Sequence, residues 1–132
     1  MKRFLLILAI LMGFLTLSSQ TQWYNSQSYA HKYIGYYGWS NWSSWIDCDV
    51  NIKFDFNSDR IIIYSNRTQY YQVTAYHGSR VENDGSQQAY FTAIDQDGDR
   101  CTIRLRIESN GNSQIYVEFS NVMWVYNVRR IN

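Results

Sequence analysis

Residues 46–56 alternate apolar and polar without a break, and nothing else in the chain limits the fold as tightly. Ile46, Cys48, Val50, Ile52, Phe54 and Phe56 fall in one phase, while Asp47, Asp49, Asn51, Lys53 and Asp55 fall in the other. Successive side chains of a strand point to opposite faces, so this pattern predicts a strand with one dry and one wet side. The same phase returns at Cys101, Ile103, Leu105 and Ile107, and again at Ile115, Val117 and Phe119. A helix would need apolar spacings of three and four, which these segments lack.

Turn residues punctuate the runs at short intervals. Asn57-Ser58-Asp59, Ser65-Asn66-Arg67, Asn83-Asp84-Gly85-Ser86, Asp97-Gly98, Asn110-Gly111 and Asn121 each separate two strand-like stretches. Asp-Gly and Asn-Gly supply the positive φ angles of tight hairpins. Short turns join antiparallel neighbours, because parallel strands need long crossovers. The expectation is an all-β, antiparallel up-and-down meander. It has seven strands from Ile46 onward and an eighth within residues 28–33. Such a sheet buries one face by closing into a barrel or folding into a sandwich. The barrel is preferred, since closure places consecutive strands side by side and removes exposed edges.

The N-terminus reads as a leader. Met1-Lys2-Arg3 precedes an apolar run over residues 4–17, and Ser18-Ser19-Gln20-Thr21-Gln22 follows. A basic start, an apolar stretch shorter than the ~20 residues of a membrane span, and a polar cleavage zone describe a secretory signal peptide. The expected division is a signal peptide at 1–21 and one domain at 22–132. The mature protein is then secreted or periplasmic, with no stable membrane insertion and no lipoprotein cysteine. Loss of Lys2 and Arg3 moves the formal charge from +1 to −1. That balance argues against nucleic acid as a partner and against a polybasic membrane surface. About 110 residues suffice for one core, and a monomer is expected.

Few residues suggest catalysis, and no cofactor is implied. Cys48 and Cys101 share the inward phase of their strands, so both a disulfide and a pair of buried thiols fit the pattern. In a meander barrel their strands are not neighbours, which weighs against the bridge. Cys48 stands between Asp47 and Asp49, whose charge raises a thiol pKa where a nucleophile needs it lowered. Asp95-Gln96-Asp97-Gly98-Asp99 opens like a calcium loop, but Arg100 and Arg106 occupy the positions of the glycine and the closing glutamate of an EF-hand. His31 and His77 have no metal-ligand spacing. Asp47, Asp49 and Asp55 read as solvated residues of an outer strand face.

The distinctive feature is aromatic density ahead of the first clear strand. Trp39-Ser40-Asn41-Trp42-Ser43-Ser44-Trp45 repeats tryptophan every third residue, which in a strand would alternate faces. Amphipathic rings bury area at low entropy cost and keep a hydrogen-bonding tip. Tyr36, Tyr37, Trp39, Trp42 and Trp45 are therefore the expected contacts for a small ligand, a glycan or a protein. The opposing interpretation is that these rings plug one end of the barrel.

From Trp39 onward the layout resembles small exported bacterial β proteins with a calycin-like or lipocalin-like meander. Gly38-Trp39 and Gly35-Tyr36 only partly echo the lipocalin Gly-x-Trp motif. The resemblance implies a non-enzymatic binding domain. A second class, the staphostatin inhibitors of secreted cysteine proteases, is similar in size and architecture; its candidate loop here is Asn83-Asp84-Gly85-Ser86. A hydrolase using acidic residues is the third class.

Overall fold

The structure is a computed structural model, and it describes residues 21–132. The leader expected at 1–21 lies outside the described residues except for Thr21. Among the described residues there are nine strands and no helix: β1 (Thr21–Gly35), β2 (Gly38–Trp39), β3 (Ile46–Asp55), β4 (Arg60–Tyr64), β5 (Gln69–Val81), β6 (Gln87–Asp95), β7 (Arg100–Ile107), β8 (Ser113–Glu118) and β9 (Val122–Arg130). All pairings are antiparallel. β1 and β3 to β9 follow one another around the sheet, and β1 pairs with β9 to close an eight-stranded barrel. β2 lies outside the ring as the return arm of a hairpin on β1.

The alternation places the core as expected. Ile52, Phe54, Ile61, Ile63, Phe91, Ile103, Leu105, Ile115 and Val117 are fully buried and fill the barrel. An eight-stranded barrel is just wide enough for such side chains to meet across the axis. Phe54 meets Phe91 of β6 across the barrel at 6.0 Å between ring centroids, and Tyr24 of the neighbouring β1 at 5.5 Å. The Asp-Gly and Asn-Gly hairpins form where the sequence places them, with Gly98 at φ 87° and Gly111 at φ 90°. An L side chain rarely adopts that conformation, hence glycine.

β1 departs most from the sequence expectation, running fifteen residues instead of the six at 28–33. Its register shifts between Ser26 and Ser28, against β3 and β9 alike. Before this bulge the even-numbered Gln22, Tyr24 and Ser26 point inward; after it Tyr29 joins the core from an odd-numbered position. A bulge inserts one residue and so flips the phase. With polar Gln22 and Ser26 also on the inner face, no period-two apolar signal survives along β1.

The meander sorts the connections to two ends. Residues 36–45, 65–68, 96–99 and 119–121 lie at one end of the barrel. The turns at 56–59, 82–86 and 108–112 lie at the other with the start of β1 and the end of β9, where the Trp23 N–H donates to the Asn132 carbonyl at 3.1 Å.

Candidate ligand site at the barrel mouth

At the end that carries residues 36–45 the packed core stops short, leaving an open cavity of about 700 Å³. Six aromatic residues border it: Tyr64 of β4, whose ring stacks on Trp23 at 5.8 Å, and five whose rings pack on one another, Tyr29 from β1, Tyr71 from β5, Phe119 after β8, and Trp124 and Tyr126 from β9. These five form two sets. Tyr29 stands 6.0 Å from Tyr126, while Phe119 meets Trp124 edge-on at 6.0 Å and Tyr71 at 6.5 Å. Tyr29 continues upward through His31 at 6.4 Å, and His31 meets Tyr33 edge-on at 5.1 Å, so rings climb β1 above the mouth.

Gln69 organises the polar groups. Its amide nitrogen donates to the Ser65 hydroxyl at 2.9 Å and the Tyr126 hydroxyl at 3.5 Å, and its carbonyl accepts from the Tyr71 hydroxyl. One side chain thereby fixes both phenols. Burial pushes both phenol pKa values up; Cys101, Tyr126 and Asp95 add to the effect at Tyr71, and the Gln69 hydrogen bond opposes it at Tyr126. Both remain neutral at ordinary pH.

Cys48 also borders the cavity, and its thiol hydrogen-bonds to Ser26. Its pKa is raised, first by desolvation and then by Asp49 and Asp47, against the lowering effect of Ser26. Cys101 is buried, and its pKa is pushed up to about 12 by desolvation, with a smaller contribution from Asp95. Both are free thiols. β3 and β7 stand on opposite sides of the eight-strand ring, which accounts for the absence of a bridge between them.

Charged groups at the rim are mostly acidic. Asp47, Asp49, Asp95 and Asp97 border the cavity together with Arg67, which pairs with Asp97 at 3.8 Å. The Asp95 carboxylate accepts from the N–H groups of Asp97 and Asp99, at 2.9 Å each, and so caps its own turn. Asp49 accepts from Asn25 and Gln27, and Asp55 pairs with Lys53 at 3.8 Å. Among the described residues, no three His, Cys, Asp or Glu side chains converge as a metal set. His77 is exposed and bonded to the Thr92 hydroxyl.

The five residues selected from the sequence lie elsewhere. Tyr36 and Tyr37 are 95% and 98% exposed at the tip of the β1–β2 hairpin, their rings edge to face at 4.9 Å. Trp39, Trp42 and Trp45 follow the outer wall. The Lys32 ammonium lies 5.5 Å from the Trp39 ring and 4.7 Å from that of Trp42, and Trp42 meets Tyr116 of β8 edge-on at 6.3 Å. Trp42 and Trp45 flank a smaller hollow of about 250 Å³ with Tyr116 and Gln114, over Ala30 and Val125. None of the five lines the mouth.

The arm at 40–45 is not a strand, so tryptophans three apart do not alternate faces. Ser40 and Ser43 bond to Tyr33 and His31 instead, and three residues of arm advance alongside two residues of β1. The rings of the mouth carry no shared local signal, because they come from β1, β4, β5, the turn after β8, and β9. Their signal is positional: they hold inward-phase places next to turns that a meander gathers at one end. Comparisons of the chain with protein-family models, with curated proteins and with solved structures each find no match.

Proposed function

We propose that this chain is an exported, non-enzymatic binding domain that takes a small amphipathic molecule into the mouth of its barrel. The observation that carries the reading is the cavity of about 700 Å³, with six aromatic residues and the Gln69–tyrosine network on its walls. Ligand pockets typically span roughly 300 to 1,000 Å³ and combine apolar walls with a few placed polar groups. A binding domain is also what the calycin-like resemblance implies. The raised thiol pKa values of Cys48 and Cys101 are the reverse of what a cysteine nucleophile needs, which supports binding over catalysis.

Trp124 supplies the test, since it lies at the mouth while Trp39, Trp42 and Trp45 lie outside it. A library of small amphipathic compounds is titrated while tryptophan emission is followed. A saturable change lost in Trp124→Phe and kept in Trp42→Phe supports the mouth. The reverse result supports a second reading, in which Trp42, Trp45 and Tyr116 present ring faces to a glycan in the outer hollow. Protease inhibition through residues 83–86 is the remaining alternative. That turn is tight: the Gly85 N–H bonds to the Glu82 carbonyl at 3.0 Å, and Asp84 pairs with Arg106 at 2.9 Å. Inhibition of a cysteine protease that is lost in Gly85→Arg would favour it.

A further inference from the structure

We propose that the mouth selects an organic cation, an amine or quaternary ammonium group carried on an apolar body; this rests on the mouth being the binding site. The charges bordering the cavity are four carboxylates, Asp47 and Asp49 exposed in the outward phase of β3, Asp95 half-buried at the end of β6 and Asp97 exposed in the turn after it, against one guanidinium, Arg67. Arg67 faces Asp97 across the rim. The hydrogen-bond donors found for Asp49 and Asp95 are neutral: two side-chain amides for the first and two backbone N–H groups for the second. Their negative charge is therefore not cancelled locally.

This field reaches the walls. Asp47 and Asp49 act on Cys48, and Asp95 acts on Tyr71 and Cys101, all in the direction of a held proton. A negative potential in a recess with low-dielectric walls concentrates cations and repels anions. Aromatic rings supply the complementary contact, because their faces attract ammonium groups within about 6 Å of the ring centroid. Gln69, which could otherwise donate to an anionic head group, has its amide committed to Ser65 and Tyr126. A fatty-acid carboxylate or a phosphate would thus meet four carboxylates, with Arg67 as the one cation to offset them. An ammonium head meets rings and carboxylates together.

The test uses the full chain in the form recovered from the cells that make it. The probes are benzyltrimethylammonium, benzyl alcohol and phenylacetate, measured by calorimetry and by protection of the Cys48 thiol from alkylation. The expected order is ammonium tightest and phenylacetate at least about ten-fold weaker at low salt, with the gap narrowing as added salt shortens the screening length. Asp47→Asn combined with Asp95→Asn should lower ammonium affinity several-fold more than that of the alcohol; asparagine at 95 keeps the acceptor oxygen of the turn. Equal binding of the ammonium and the alcohol, or a silent double variant, overturns the cation inference and leaves the mouth as a site. Phenylacetate binding tightest overturns it outright. Failure of every probe to bind or to protect Cys48 overturns both the inference and the mouth site.

Discussion

Ser43 engages His31 twice: its N–H donates to the His31 carbonyl at 2.8 Å, and its hydroxyl accepts from the His31 N–H at 3.0 Å. Ser40 repeats the arrangement on Tyr33, at 2.7 and 3.0 Å. These two serines complete the hydrogen bonding of β1 where it rises beyond the first residue of β3. The tryptophan-serine repeat of the arm therefore has a structural origin in the spacing of backbone groups along β1.

Removing either hydroxyl should loosen the arm. Ser43→Ala and Ser40→Ala each leave an N–H of β1 without its side-chain acceptor, at a cost of about 1 kcal/mol. Amide exchange at His31 and Tyr33 should speed up in the corresponding variant, with Ser43→Thr restoring protection at His31. Unchanged exchange would mean that the arm detaches freely in solution.

The phase of β3 makes a sharp test of the core. Ile52 is fully buried inside the barrel, whereas Asn51 is exposed and accepts from the Asn25 amide at 2.9 Å. Ile52→Asp should bury an unpaired carboxylate at a cost of several kcal/mol, a large share of the ~5–15 kcal/mol that holds a small domain folded. Asn51→Asp keeps the acceptor oxygen and should change stability by less than about 1 kcal/mol, the small loss coming from the nearby Asp49 charge. Thermal melts of the two variants should separate widely.

Both cysteines should titrate as free thiols when the protein is purified without reductant. Mass spectrometry after alkylation in denaturant should count two labels. In the native state Cys48, at the mouth, should label slowly at neutral pH because its thiolate is disfavoured, and Cys101 only on unfolding. Rapid native labelling of Cys101 would contradict its burial.

Stability should decline in alkali. Cys101 rises from an ordinary 9.0 to about 12 in the folded chain, and burial raises Tyr24 and Tyr71 above their ordinary 10.0. Below pH 9 these groups hold their protons in both states and stability is unaffected by them. Above it the unfolded chain releases protons that the folded chain still binds, so the unfolded state gains and stability falls as pH climbs toward 12. Urea midpoints from pH 7 to 11 should stay level and then drop. Cys101→Ala should delay the first part of the drop.

Export is checked at the N-terminus. Mass spectrometry of the protein recovered outside the cytoplasm should find a new first residue between Gln20 and Trp23. Thr21 pairs with Asp55 and Tyr24 with Ile52, so cleavage within that window leaves most of β1 to close the barrel. Recovery of the intact leader in membranes would remove the export proposal.

The meander was legible because its determinants are local. An inward phase at Ile52, Phe54, Ile103 and Leu105 needs only neighbouring residues to declare it, and the Gly98 and Gly111 turns need only their own φ angles. Eight strands joined by short turns then leave few ways to bury one face. The bulge at Ser26 to Ser28 erased the same signal from β1, since one extra residue exchanges inside for outside. The candidate site was less legible. Local crowding drew attention to Tyr36, Tyr37, Trp39, Trp42 and Trp45, which the hairpin and its arm carry away from the mouth. Tyr29, Tyr71, Phe119, Trp124 and Tyr126 come from four places in the chain and share a cavity only after closure of β1 on β9. Proximity along the chain records what a segment is made of; which rings face one another depends on register and closure, and those are properties of the assembled sheet.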